Sequence, residues 1–287
     1  MLLCEEKFGI KNKNHQSLYY MRYSQINYLV MKDTDERCKS MPELIEAVRH
    51  SIANQYMVSE EEDIQLPTPA EVHTNYIVSG KRSFEAAKDY QGKKVAVLNY
   101  ANNHSIGGAP FSAGAQEESL CRCSTLLPCL YAMREPFYEK HRSMYHNGEM
   151  NFMGNDDLIY TPDVMVFKTD ERTDPIYPQM LPRDEWYQVN VITCAAPQLQ
   201  GNVTRPEKYE EAIRSRVKKI LDVAAREGNE VIILGAWGCG AFKNPIEIVA
   251  KAFIDLVKNY DFKTVEFALA TINDVSSSAF ARYLRED

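Results

Sequence analysis

The sequence predicts an α/β sandwich built on a mostly parallel sheet. Two observations carry that reading. Apolar runs of strand length alternate with amphipathic helical stretches, the pattern of βαβ units. Two of the strands, ending near Ala101 and Leu234, each run into a loop of small residues that opens a helix. The crevice outside the carboxyl ends of strands is where such folds keep their sites.

Residues 1–70 read as a helical extension, with Leu44, Ile45, Val48, Ile52 and Tyr56 at helical spacing over 41–56. Glu60-Glu61-Glu62-Asp63 reads as a solvated acidic turn, and Pro67-Thr68-Pro69 ends the extension. The remaining residues, 71–287, form one domain. Val72–Val78 is a predicted strand and Ser83–Tyr90 a short helix opened by a serine cap. The apolar run Val95–Ala101 is the central strand. Asn102–Gly114 is a small-residue loop, and a helix opens at Gln116-Glu117-Glu118 and continues to Pro128, which breaks or kinks it. Residues 134–160 are poorly periodic and read as a short helix plus a surface excursion. Strands are expected over 163–169 and 189–196, with a Pro-rich loop between them. Thr204-Arg-Pro-Glu207 reads as a capping box for a helix whose buried face carries Tyr209, Ile213, Val217, Ile220, Leu221 and Ala224. Gly228 ends it. A strand over 230–234, a second small-residue loop over 235–242, a helix from Asn244-Pro245, a strand over 264–271 and a helix over 276–285 complete the chain.

Composition narrows the function classes. The 287 residues carry a net charge of −7, so a broad basic face for duplex nucleic acid is not expected. No apolar run approaches the length of a transmembrane helix, and the amino-terminal residues turn charged too soon for a signal peptide. Seven cysteines at irregular spacing fit a reduced compartment, so an intracellular location, cytoplasmic or nuclear, is expected. Cys121 and Cys123 lie two apart on a predicted helix and do not share a face. With Cys129 they match no standard zinc spacing and read as packing thiols.

The two loops carry the chemistry. Gly107-Gly108-Ala109 and Gly238-Cys239-Gly240-Ala241 each sit between a strand and a helix. Glycine lets backbone N–H groups approach a ligand closely, and a helix amino terminus favours anions. Two such loops point to a ligand with phosphate groups, although neither is a P-loop. Phe242 is placed either to stack on a base or ribose or to pack in the core. Glu117 and Glu118 are neighbours on a helix, so they cannot flank a scissile bond as a glycosidase pair does. One of them facing the ligand, with the other orienting it, is the arrangement left; two capping glutamates are the plain alternative.

Taken together, these residues resemble the microbial-type poly(ADP-ribose) glycohydrolase family. That family's motif is three glycines, six to eight residues, then Gln-Glu-Glu. Here Gly107-Gly108-Ala109 is followed by Pro110–Ala115 and then Gln116-Glu117-Glu118. Ser83–Ala87, Asn99–Asn102, Val191–Pro197 and Leu234–Pro245 resemble further stretches of the family, so the likeness runs over residues 42–274.

The resemblance implies a three-layer α/β/α sandwich, with a macrodomain-like mixed sheet and an N-terminal helical extension. It implies an enzyme, a glycosidase that hydrolyses ribose glycosidic bonds of poly(ADP-ribose) or of ADP-ribosylated targets. The implied ligand is ADP-ribose or poly(ADP-ribose), free or carried on protein or nucleic acid, without membrane, cofactor or metal. By the family pattern Glu118 is the catalytic carboxylate and Glu117 holds the adjoining ribose. Gln116 shapes the loop, and Asn102, Gly107, Gly108 and Ala109 meet the distal ribose. Gly238, Cys239, Gly240 and Ala241 cradle the diphosphate, and Phe242 packs on the ribose or adenine side. The sequence departs from the pattern at Ala109 and at Ser105-Ile106, which replace a glycine and an Asn-Pro. If position 109 needs positive φ, alanine there costs about 1 kcal/mol or more. That departure motivates the alternative of an ADP-ribose-binding reader with weak or no activity.

Overall fold

The computed structural model describes residues 23–67, 73–170, 178–200, 204–269 and 274–285. Helix α1 (Tyr23–Ser40) buries Ile26, Val30 and Met31 on one face. Helix α2 (Pro42–Asn54) starts with proline, whose missing N–H costs nothing in a first turn. Strands β1 (Tyr56–Val58) and β2 (Asn75–Ser79) follow. Helix α3 (Ser83–Lys88) leads to β3 (Val95–Ala101). Beyond β3 come α4 (Gln116–Cys123), α5 (Leu126–Ala132), a π-helical segment Arg134–Glu139 and α6 (Lys140–His146). Strands β4 (Leu158–Val166) and β5 (Tyr187–Ala195) precede α7 (Tyr209–Arg226). Strand β6 (Val231–Leu234), α8 (Ile246–Val257), β7 (Thr264–Ala268) and α9 (Asp274–Arg285) end the chain.

The seven strands form one mixed sheet in the order β1-β4-β5-β3-β6-β7-β2. The run from β5 through β3, β6 and β7 to β2 is parallel, while β4 is antiparallel to β5 and the three-residue edge strand β1 is antiparallel to β4. Side chains alternate across it, as the pleat requires. Ala96, Leu98, Ile192, Cys194, Ile232 and Leu234 pack with α7, α8 and Phe280 of α9. Val95, Val97, Val189, Val191, Val231 and Ile233 face Phe84 of α3, Leu120 of α4, α5 and Met31 of α1. This is the three-layer α/β/α sandwich with a mixed sheet, and α1 packs onto it.

Local boundaries differ from expectation for identifiable reasons. Helix α3 begins after Arg82, whose N–H donates to Glu85 Oε2 at 3.1 Å; Ser83 lies inside the helix, not at its cap. The break after α4 falls at Ser124, which turns extended to bridge Val166 of β4. Pro128 then sits in the first turn of α5, where it is harmless. Strand β4 begins at Leu158 rather than at 163, because a bulge between Thr161 and Val164, with Asp163 at φ +53°, interrupts its alternation. The 134–160 stretch is not a surface excursion throughout: Phe137, Tyr138 and His141 are buried. Helix α7 starts at Tyr209, not at the Thr204–Glu207 box, which is exposed. The expected positions 68–72, 171–177, 201–203 and 270–273 lie outside the described residues.

Candidate active site

Strands β3 and β6 part before β3 ends. Their ladder stops at Val97↔Ile233, whereas β3 stays paired with β5 as far as Ala101↔Ala195. The chain leaves β3 towards β4 and leaves β6 towards β7, on opposite sides, so the crevice between them is a topological switch point. The side chain of Gln116 fills the upper part of that gap. Its Nε2 donates to Leu98 O at 2.8 Å and to Ser83 Oγ at 3.0 Å, and its Oε1 accepts the Tyr100 N–H at 2.9 Å. Gln116 thus takes the two backbone groups that a further strand residue would have taken, and it fixes the start of α4 against β3.

The next two residues are thereby aimed at the end of β3. Glu117 Oε2 accepts the Asn102 N–H at 2.9 Å, and Oε1 accepts from Asn99 Nδ2 at 3.4 Å. Burial pushes the Glu117 carboxyl well above the usual carboxylate range; the Asn102 N–H pulls back and the neighbouring Glu118 charge adds to the rise. Glu118 Oε1 accepts the Ala109 N–H at 3.1 Å. Its other oxygen, Oε2, is buried with no hydrogen-bond partner among the described residues. Gly108 makes this approach feasible. Its φ is +67°, and a Cβ there would collide with Glu118 Oε1. Asn102 Oδ1 accepts the N–H groups of His104 and Ser105, which turns the chain out of the strand.

The opposite wall is the loop after β6. Trp237 is fully buried and its Nε1–H donates to Cys194 O at 2.9 Å. Asn244 staples the loop: its Nδ2 donates to Pro197 O and to Gly238 O, and its Oδ1 accepts from the Tyr209 hydroxyl at 2.6 Å. That contact explains why α7 begins at Tyr209. The loop is so closely held that a Cβ on Gly238, at φ +72°, would strike Ala196 Cβ and the Asn244 amide.

Between the walls lies a cleft of about 290 Å³. Of the residues singled out from sequence, Asn102, Gly108, Gln116, Glu117, Glu118, Gly238, Gly240, Ala241 and Phe242 line it. Gly107, Ala109 and Cys239 do not. Gly107 lies beneath the loop, where a Cβ would meet Leu127 and Cys121. Ala109 contributes its N–H to Glu118. The half-buried Cys239 thiol is bonded to Trp237 O and pushed up to about 12 by burial. Tyr100, Gly114, Ala115 and Ala236 also line the cleft and were not foreseen. Tyr100 follows the buried Asn99 near the open end of β3, so the pleat was the available signal.

A mixed sheet with a switch-point cleft, walled on one side by buried carboxylates and on the other by a tightly held backbone loop, is macrodomain-like. The family described as microbial-type PARG, catalytic domain, matches residues 27–169. The chain belongs to the microbial-type poly(ADP-ribose) glycohydrolase family. Solved structures extend the match to the second loop. The poly(ADP-ribose) glycohydrolase of Thermomonospora curvata bound to the inhibitor ADP-HPD is 28% identical with a TM-score of 0.72, over 89% of this chain and 98% of that one. The Deinococcus radiodurans enzyme in complex with ADP-ribose is 28% identical with a TM-score of 0.70, over 83% of this chain and 97% of that one. No curated protein sequence matches the chain.

Proposed function

We propose that the cleft binds the terminal ADP-ribose of poly(ADP-ribose) and hydrolyses its ribose glycosidic bond, with Glu118 as the catalytic carboxylate. The observation that carries this reading is Glu118 Oε2: a carboxylate oxygen, buried in the cleft wall, without a partner among the described residues. A buried acceptor left unpaired is costly, and such a cost is accepted where a substrate completes the site.

In this reading Glu118 passes a proton to the leaving ribose oxygen as the glycosidic bond breaks. It then takes a proton from the water that attacks the anomeric carbon, so the carboxyl is restored. The Ala109 N–H holds Oε1 and leaves Oε2 for the chemistry. Glu117, with both oxygens engaged by Asn102 and Asn99, holds the adjoining ribose hydroxyl. Asn102 and Gly108 approach the distal ribose, and Gly107 shapes the loop from beneath. The Gly238–Ala241 backbone receives the diphosphate, and Phe242, packed at its edge against the core, covers the ribose. Residues 1–70 serve as an extension of the catalytic domain over 71–287.

The backbone at Ala109 removes the main support for a non-catalytic reader. Among the described residues the non-glycine positions with positive φ are Asp163 and Lys243, so alanine at 109 carries no left-handed strain. The test is release of ADP-ribose from poly(ADP-ribose) by the wild type and by Glu118→Gln. The variant is expected to bind ADP-ribose within about threefold of wild type and to lose release by a factor of about 10³ or more. Equal release by both proteins would overturn the role of Glu118.

A further inference from the structure

The loop from Ala109 to Ala115 connects the two glycines to the Gln-Glu-Glu helix, and its carbonyls are gathered by side chains from outside the cleft. Ala109 O accepts the N–H groups of Ser112 and Ala113. Arg122 Nη1, one turn beyond Glu118 on α4, donates to Pro110 O and Ala113 O, both at 2.8 Å. Asn27 Nδ2, from α1, donates to Ser112 O at 3.1 Å and Ala113 O at 3.0 Å. Both side chains belong to buried residues. The next residue of α1, Tyr28, sets its ring 5.9 Å from that of Phe111.

We propose that Asn27 and Arg122 are positioning residues that set the height of this loop over the cleft and so aim the Ala109 N–H at Glu118. Helix α1 is then a working part of the active site. The inference rests on the hydrolase reading given above.

Two features separate this from ordinary packing. First, Arg122 is a fully buried cation whose donated bonds go to loop carbonyls, while its Nε and Nη2 have no partner among the described residues. A buried charge left partly unsatisfied is costly in a purely structural role. Second, α1 is anchored without Asn27. Thr34 Oγ1 donates to Arg122 O at 2.6 Å, and the buried Lys168 Nζ donates to Thr34 Oγ1 at 2.7 Å and pairs with Asp33 at 2.9 Å. Asn27 is therefore spare for fastening the helix, and its two bonds both end on the loop.

The experiment uses the full chain with Asn27→Gln, Asn27→Ala, Asn27→Asp and Arg122→Lys, beside Lys39→Ala on the exposed side of the same helix. Poly(ADP-ribose) is the substrate and ADP-ribose the binding probe. A small misplacement of a catalytic group costs up to about a hundredfold, so kcat should fall roughly tenfold in Asn27→Ala and further in Asn27→Asp, where the donating NH2 group becomes an acceptor oxygen facing two carbonyls. Asn27→Gln should recover part of the loss, Arg122→Lys should fall with Asn27→Ala, and Lys39→Ala should match wild type. ADP-ribose binding, held by the other wall, should stay within about threefold. Amide exchange should quicken in the 109–115 segment alone. Wild-type kcat in Asn27→Asp, or equal losses in binding and kcat with faster exchange throughout the protein, would overturn the proposal. If Glu118→Gln also releases ADP-ribose normally, the role of Glu118 is what has failed, and if the wild type releases none, the hydrolase reading has; in either case exchange in the 109–115 segment still judges the clamp.

Discussion

Gln116 Oε1 accepts the N–H of Tyr100 at 2.9 Å, and the same side chain returns a bond to Leu98 O. One amide therefore replaces a strand where β6 has already turned away. Replacing it with Leu should leave both backbone groups unpaired in a buried gap. Each such group costs about 1–3 kcal/mol. We expect thermal denaturation to show Tm lowered by roughly 5–10 °C, with release of ADP-ribose falling as α4 loses its seat. An unchanged Tm would show that the gap closes without Gln116.

Gly238 and Gly240 should separate in mutagenesis. Gly238→Ala collides with Ala196 and Asn244 and forces positive φ on alanine, so it should destabilise the fold. Gly240 has nothing within 4 Å of its added Cβ and its φ is not positive. Gly240→Ala should fold with wild-type Tm and still weaken ADP-ribose binding, by about tenfold in calorimetry, because the methyl group occupies the cleft. Normal binding would remove Gly240 from the ligand wall.

Position 109 should tolerate glycine and position 108 should tolerate nothing else. Ala109→Gly is expected to change release by less than about threefold, because no left-handed strain is relieved there. Gly108→Ala drives a methyl group into Glu118 and should abolish release. A large gain of activity in Ala109→Gly would show that alanine is held against its preference.

Glu117 gives the protein a pH-dependent weakness. Burial raises its pKa in the folded state. Stability from such a group is fully present below the unfolded carboxyl value, about 4.3, and is lost as pH rises towards the folded value. Glu117→Gln removes that loss. Its Tm should match wild type near pH 4 and exceed it by about 2–4 °C at pH 8, for roughly 1 kcal/mol. A lower Tm than wild type at pH 8 would contradict the assigned direction.

Asp157 works in the opposite sense. Burial alone would raise it, but His141 Nε2, Lys140 Nζ and the Glu60 N–H all bond to it and hold it well below the usual carboxylate range. Its contribution is present at neutral pH and is lost as pH falls below about 4. Asp157→Asn should cost about 3 kcal/mol at pH 7, by chemical denaturation, and progressively less as the pH is lowered below 4.

What could be read from sequence was chemistry that repeats locally. Val95–Ala101, the glycine pair and Gln116-Glu117-Glu118 lie close together in the chain, and their residue types state their backbone needs. Nine of the residues singled out as a site do line one cleft. What could not be read was set at long range. Gln116 as a substitute for strand β6 depends on where β3 and β6 diverge. The bulge at Asp163 hid the first half of β4, since a bulge breaks the alternation by which strands are recognised. Phe137, Tyr138 and His141 looked like surface because no period joins them; a π-helical segment carries the first two. The Thr204 box matched a capping pattern, but the burial of Tyr209 against Asn244 decided where α7 begins.

The three-residue edge at β1 has a consequence for how the molecule behaves in concentrated solution. Interior strands β3, β4 and β5 run to 7, 9 and 9 residues, whereas the edge strands β1 and β2 have only three and five. An edge ladder this short gives a second copy little to pair with. Short edges keep the longer apolar strands β3, β4 and β5 from templating fibrils or swapped assemblies.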